Sequence, residues 1–140
     1  MSISVSTPVS TTLVDAPPEL ICIDGEFYRR HKFGGGLVAV TAKVAPSAYV
    51  DRRAMVRGHA VLLGTARLFG EAIAEDHAVL GGMTTLRDRA RVGGEAILIS
   101  GVIVREDAYV GGKTCLEGPI VVEGKAQVID VNLRGRLTLR

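Results

Sequence analysis

The feature of this sequence that most constrains its fold is a small residue that returns every six positions. Counted in sixes from Ala42, position one holds only small or aliphatic residues, and position three holds no polar residue as far as Val128. Position five is rich in Gly. Fifteen such hexads, among them ARLFGE, ARVGGE and AYVGGK, pass without an insertion or a deletion. A period of six is neither the 3.6 of a helix nor the 2 of a plain strand, and it indicates a repeat architecture.

Strand geometry explains the hexad. Positions one and three point to the same side of a short strand, and positions two and four point to the other side. Positions five and six carry Gly and polar residues, which favour a turn. Three strands and three corners close a triangle of eighteen residues, and such coils stack at ~4.8 Å. The sequence therefore predicts an all-β parallel β-helix, a triangular prism of about five 18-residue coils. A sandwich of ordinary hairpins does not keep one register this long.

The pattern divides the chain into four segments. Residues 1–18 are rich in Ser, Thr and Pro and are predicted to form a mobile arm. Residues 19–35 are predicted to cap the first coil with a hairpin, because Asp24 and Gly25 are a strong two-residue turn signal. The repeat occupies residues 36–131. Residues 132–140 are predicted to be a C-terminal strand or tail, since a strict count would turn Asn132 and Arg134 inward.

The hexads and the run GGGLVAVTAKVAPSAYV from Gly34 resemble the hexapeptide-repeat family and, within it, uncharacterised repeat proteins of bacteria and phages. The resemblance implies a left-handed β-helix, although most crossover connections are right-handed. It also implies a homotrimer, because members of the family are mostly trimers of parallel prisms.

Composition excludes several partners. Seventeen Lys and Arg balance fifteen Asp and Glu, aromatic residues are scarce, and Trp is absent, which argues against a nucleic-acid surface. The sequence begins without a signal-peptide pattern and no apolar run is long enough to span a membrane. Cys22 and Cys115 match no metal-ligand spacing and are expected to be reduced thiols in a cytoplasmic protein.

Sorting the outward residues by eighteen gives three faces, of which the first is apolar. We call its outward residues the apolar stripe and predict self-association through it, in a trimer or with end-to-end stacking as a second mode. Coverage by residues 1–18 is the alternative. The stripe consists of Val61, Leu63, Val79, Ile97, Ile99 and Cys115.

Two corners carry charged or metal-ligating residues. After the second face, Arg53, Glu71, Arg89, Asp107 and Lys125 alternate in sign and predict a stacking ladder. After the third face come His59, His77 and Glu95, each eighteen residues from the next, which we call the histidine corner. These three are candidate metal ligands, with solvated turn residues as the plainer interpretation.

Three functions remain open on the sequence. The unbroken register and the apolar stripe favour a non-enzymatic structural or assembly module without a cofactor. The family resemblance implies a trimeric acyltransferase-like enzyme that uses acetyl or acyl coenzyme A, although the chain lacks the inserted loop and C-terminal helix usual in such enzymes. A binding module for another macromolecule is the third possibility.

Overall fold

A computed structural model of the protein describes residues 20–140, in which the regular secondary structure consists of β-strands alone. The chain winds into parallel stacked coils and forms a β-solenoid of about six turns with eighteen-residue spacing. No described residue belongs to a helix long and apolar enough to cross a bilayer. The all-β repeat predicted from the hexads is thereby confirmed, with one coil more than expected, while the left hand remains a prediction.

Three sheets make up the solenoid. The first and second sheets have six strands each, and the third has eight. The strands of the first sheet are β4 (Lys43–Val44), β7 (Val61–Leu62), β10 (Val79–Leu80), β13 (Ile97–Ile99), β16 (Cys115–Glu117) and β19 (Asn132–Arg134). Those of the second are β5 (Tyr49–Val50), β8 (Arg67–Leu68), β11 (Thr85–Leu86), β14 (Ile103–Val104), β17 (Ile120–Val122) and β20 (Leu137–Leu139). The third contains β1 (Ile21–Ile23), β2 (Glu26–Arg30), β3 (Leu37–Ala39), β6 (Met55–Val56), β9 (Ile73–Ala74), β12 (Arg91–Val92), β15 (Tyr109–Gly111) and β18 (Gln127–Ile129).

Register between coils follows the hexads. In the first sheet Val61 pairs with Val79, which pairs with Ile97. Equivalent residues therefore stack in columns, and the inward columns fill the core. Leu62, Leu80 and nearly every other position-one or position-three residue of the middle coils is completely buried. Two inward threonines do not leave a polar atom unpaired: Thr84 and Thr114 donate to the carbonyls of Gly81 and Gly111, at 2.8 and 2.7 Å.

Corners hold successive coils together through carboxylates as well as through glycine. Four acidic residues replace glycine at position five with positive φ, which normally favours glycine, and three of them, Asp76, Asp88 and Glu106, act in the same way. Each uses its carboxylate to accept a hydrogen bond from a backbone N–H of the next coil, which offsets the unfavourable backbone conformation. Asp76 accepts from Gly94 at 2.9 Å, Asp88 from Glu106 at 3.0 Å, and Glu106 from Gly124 at 2.6 Å.

The predicted hairpin is confirmed at the N-terminal end. Asp24 and Gly25 both have positive φ, 50° and 81°, and connect β1 to β2 in antiparallel pairing. Strand β2 then pairs antiparallel with β3, so the hairpin extends the third sheet. Tyr28 on β2 is 1% exposed; burial, with a hydrogen bond to Glu26, raises the pKa of its phenol.

The solenoid continues past Val131. It does so because the corner at Asp130 is one residue shorter than the others, which restores the inward position to an apolar residue. Asp130, with φ 57°, makes this corner, and Leu116 then pairs with Leu133, an offset of seventeen instead of eighteen. Leu133 therefore takes the inward position, and Asn132 and Arg134 are exposed. Residues Asn132–Arg134 and Leu137–Leu139 form the outermost strands of the first and second sheets, where the strict count had placed polar residues inside.

Candidate functional site

The apolar stripe lies on the outer side of the first sheet. Val61, Val79, Ile97 and Cys115 pair in consecutive strands and form one outward column. Leu63 is 50% exposed and Ile97 is 40% exposed. The structure thus places all six stripe residues on one face, as the sorting by eighteen predicts.

The corner that follows the stripe is also uncharged. It contains Gly, Ser, Thr and Pro, together with Met83, whose side chain is 63% exposed. Charged residues of the first sheet occur only toward its ends, as Lys43 at one end and the Glu117–Arg134 ion pair (3.3 Å) at the other. Across the middle coils the first sheet and this corner therefore present a continuous neutral surface.

The other two sheets and the corner between them carry ion pairs instead. The predicted ladder forms in part, and further pairs lie on the sheets. The pairs are Arg53–Glu71 (3.7 Å), Arg89–Asp107 (2.7 Å), Arg57–Glu75 (3.6 Å), Arg91–Glu75 (3.0 Å), Arg105–Glu123 and Arg140–Glu123 (2.6 Å). The arginines of these pairs remain partly or largely exposed, which suits a surface that stays in water.

Two carboxyl groups in these pairs have a shifted pKa. The hydrogen bond from Arg89 holds the pKa of Asp107 below its usual value. Hydrogen bonds from Arg105 and then Arg140 do the same for Glu123, whose side chain is only 10% exposed. Both carboxylates therefore favour their charged forms in the folded chain.

The histidine corner brings two of its three residues into contact. The rings of His59 and His77 stack with centroids 5.1 Å apart and an angle of 8° between their planes. Both side chains are exposed, and Glu95 lies at the equivalent place on the next coil. Within residues 20–140, no three side chains from His, Cys, Asp and Glu are grouped so as to hold a metal ion.

A second surface feature, which the sequence analysis missed, is a groove of about 520 Å³ beside the third sheet. We call it the arginine groove. Its floor is apolar, because Leu37, Met55 and Ile73 stack in register on β3, β6 and β9. Its rim is formed by Arg30, Arg52, Arg53, Glu71, Arg89 and Arg91. Arg30 could be found only once the hairpin was known to extend the third sheet, since it lies outside the repeat.

Comparison with known proteins returns no similarity: no protein-family model, no curated protein and no solved structure matches this chain.

Proposed function

We propose that this protein is a non-enzymatic structural or assembly module that self-associates through the apolar stripe. The observation that carries the proposal is the neutral surface of the first sheet and its following corner. The other two sheets carry ion pairs, so the contrast lies between faces of one prism with the same backbone. Exposed apolar area of this kind on a folded domain is typical of an interaction site.

A second copy of the chain is the occupant that fits this surface best. The stripe consists of β-branched and leucine side chains and Cys115 on one sheet, and a repeated flat patch is most simply covered by closed rotational symmetry. Its middle is free of charge, so copies approach without like-charge repulsion. We propose a trimer with the three stripes toward the axis, in accord with the resemblance to the left-handed hexapeptide-repeat family.

Light scattering coupled to size exclusion tests this proposal. We expect the full chain to elute as a trimer and Ile97→Arg as a folded monomer, because three like charges would meet at the axis. Ile129→Arg is the matched control: Ile129 is 46% exposed, but it points outward from the third sheet. This control should remain a trimer, with circular dichroism unchanged for both variants.

The alternatives give different results. A wild-type monomer would contradict self-association and favour coverage of the stripe by residues 1–18. A trimer of Ile97→Arg with unchanged stability would move the interface to another face or to the ends of the solenoid.

A further inference from the structure

We propose that the arginine groove binds a small organic anion in which a phosphate or carboxylate group is attached to an apolar body. A guanidinium presents its donors in a planar fork that matches the oxygens of carboxylates and phosphates. The rim of the groove supplies several guanidinium groups, while its floor supplies apolar side chains. The two halves of such a ligand would therefore each find a matching surface.

Stacking of the coils accounts for three of the five rim arginines. They pair with carboxylates eighteen or sixteen residues away, as side chains on adjacent coils should. These pairs are Arg53 with Glu71 at 3.7 Å, Arg89 with Asp107 at 2.7 Å, and Arg91 with Glu75 at 3.0 Å.

The other two rim arginines, Arg30 and Arg52, are not explained by ion pairs between coils. The guanidinium of Arg30 donates to the carbonyl of Gly35 at 2.9 Å, and within residues 20–140 neither side chain pairs with a carboxylate. The acidic residue next to Arg52 is Asp51, and its two carboxylate oxygens accept hydrogen bonds from the backbone N–H groups of Arg52 and Gly70. Two positive charges at the rim are therefore left without a compensating carboxylate.

The floor sets the kind of anion. Leu37, Met55 and Ile73 are half-buried and form a continuous apolar column, which an inorganic ion would leave unused. A volume of about 520 Å³ lies within the ~300–1,000 Å³ usual for small-molecule sites.

A nucleic acid fits the surroundings poorly. Binding along its backbone requires cations that continue beyond the groove. Here the neighbouring positions carry Asp107 and Glu75, and the formal net charge of the whole chain is only +2. We therefore assign the groove to a small molecule and treat nucleic acid as a competing outcome.

Methionine methyl NMR of the full chain provides the test, because Met55 lies in the floor and Met83 lies in the neutral corner beside the apolar stripe. Phenyl phosphate should shift the Met55 methyl signal saturably at concentrations up to about 5 mM. The Met83 signal should not move, and inorganic phosphate or benzyl alcohol should bind at least about tenfold more weakly, since each offers half of the recognised chemistry.

Arg52→Gln should weaken the binding of phenyl phosphate at least about tenfold. Arg52→Lys should retain part of the affinity, because lysine keeps the positive charge. Arg87→Gln is the matched control. Arg87 is also exposed, but it directly follows a strand of the second sheet and does not line the groove. All three variants should melt as the wild type does, since neither Arg52 nor Arg87 makes an ion pair within residues 20–140.

No Met55 shift with phenyl phosphate would overturn the proposal, as would equal weakening by Arg52→Gln and Arg87→Gln. A Met55 shift with a short DNA duplex but not with phenyl phosphate would replace it with a nucleic-acid site. These outcomes do not depend on the oligomeric state, because self-association is proposed for a different sheet.

Discussion

At the scale of single residues, side-chain direction alone separates core from surface. Leu98 is fully buried, while its neighbour Ile97 on the same strand is 40% exposed. Both are aliphatic, so hydrophobicity does not distinguish them, whereas their places in the hexad do. The assignment of inside and outside made from the six-residue count is confirmed for the middle coils.

Truncation of an inward and an outward residue should therefore have different costs. Leu98→Ala leaves a cavity in a closed interior and should lower the free energy of unfolding by about 2–5 kcal/mol. Ile129→Ala removes an outward side chain of the third sheet and should change it by less than about 0.5 kcal/mol. Chemical denaturation of both variants measures the difference. Similar large losses for the two would show that the register is shifted by one residue.

Glu123 should make stability depend on pH. Hydrogen bonds from Arg105 and Arg140 lower its pKa below the ordinary 4.5, so its contribution is complete above that value and is lost as the pH falls through the lower, folded value. Glu123→Gln should therefore reduce the melting temperature at neutral pH and have a smaller effect near pH ~3. Glu95→Gln, at an exposed carboxylate that makes no ion pair within residues 20–140, is the control. A loss from Glu123→Gln that is the same at both pH values would contradict the account.

At the scale of elements, the corner is the unit that decides whether coils stack. Most position-five residues have positive φ, and they are glycines, Ser100 or acidic residues, of which Asp76, Asp88 and Glu106 bind the next coil. Neighbouring corners also lie close together. A Cβ added at Gly94 would come within 2.6 Å of the backbone nitrogen of Gly112, whereas one at Gly124 would meet nothing within 4 Å.

Alanine substitutions at Gly94 and Gly124 distinguish the cost of backbone strain from the cost of crowding between corners. Their φ values are similar, +61° and +69°, so replacement by alanine costs each about 1–2 kcal/mol of backbone strain. Only Gly94→Ala must also push a neighbouring backbone aside, and it should be clearly the more destabilising in thermal melting. Equal losses would mean that contact between stacked corners does not limit what the repeat accepts.

The elements also show where sequence reasoning ends. Strands and corners within residues 42–129 could be predicted, because each hexad repeats the same inward pair and the same turn. The shortened corner at Asp130 could not, since losing one residue reverses the inward and outward pattern that the count relies on. Arg30 and the arginine groove were missed for a related reason: the sheet that a hairpin joins is set by tertiary packing.

At the scale of the whole molecule, the prism offers three faces built from one repeat, and their outward residues differ. Outward residues do not fill the core, so they differ from coil to coil while the fold stays the same. Ion pairs occupy two sheets, while the middle of the first sheet remains neutral and apolar. The fold could be predicted with more detail than the function because the repeat constrains the inward residues and leaves the outward ones free.

Chemical cross-linking tests most directly the central claim, that copies meet through the first sheet. Cys22 and Cys115 are first replaced by serine, and one new cysteine is then introduced as Ile97→Cys or, on the third sheet, as Ile129→Cys. With a short bis-maleimide at low protein concentration, Ile97→Cys should give covalent multimers on a denaturing gel, and Ile129→Cys should stay monomeric. Multimers from Ile129→Cys alone, or equal amounts from both variants, would contradict the claim.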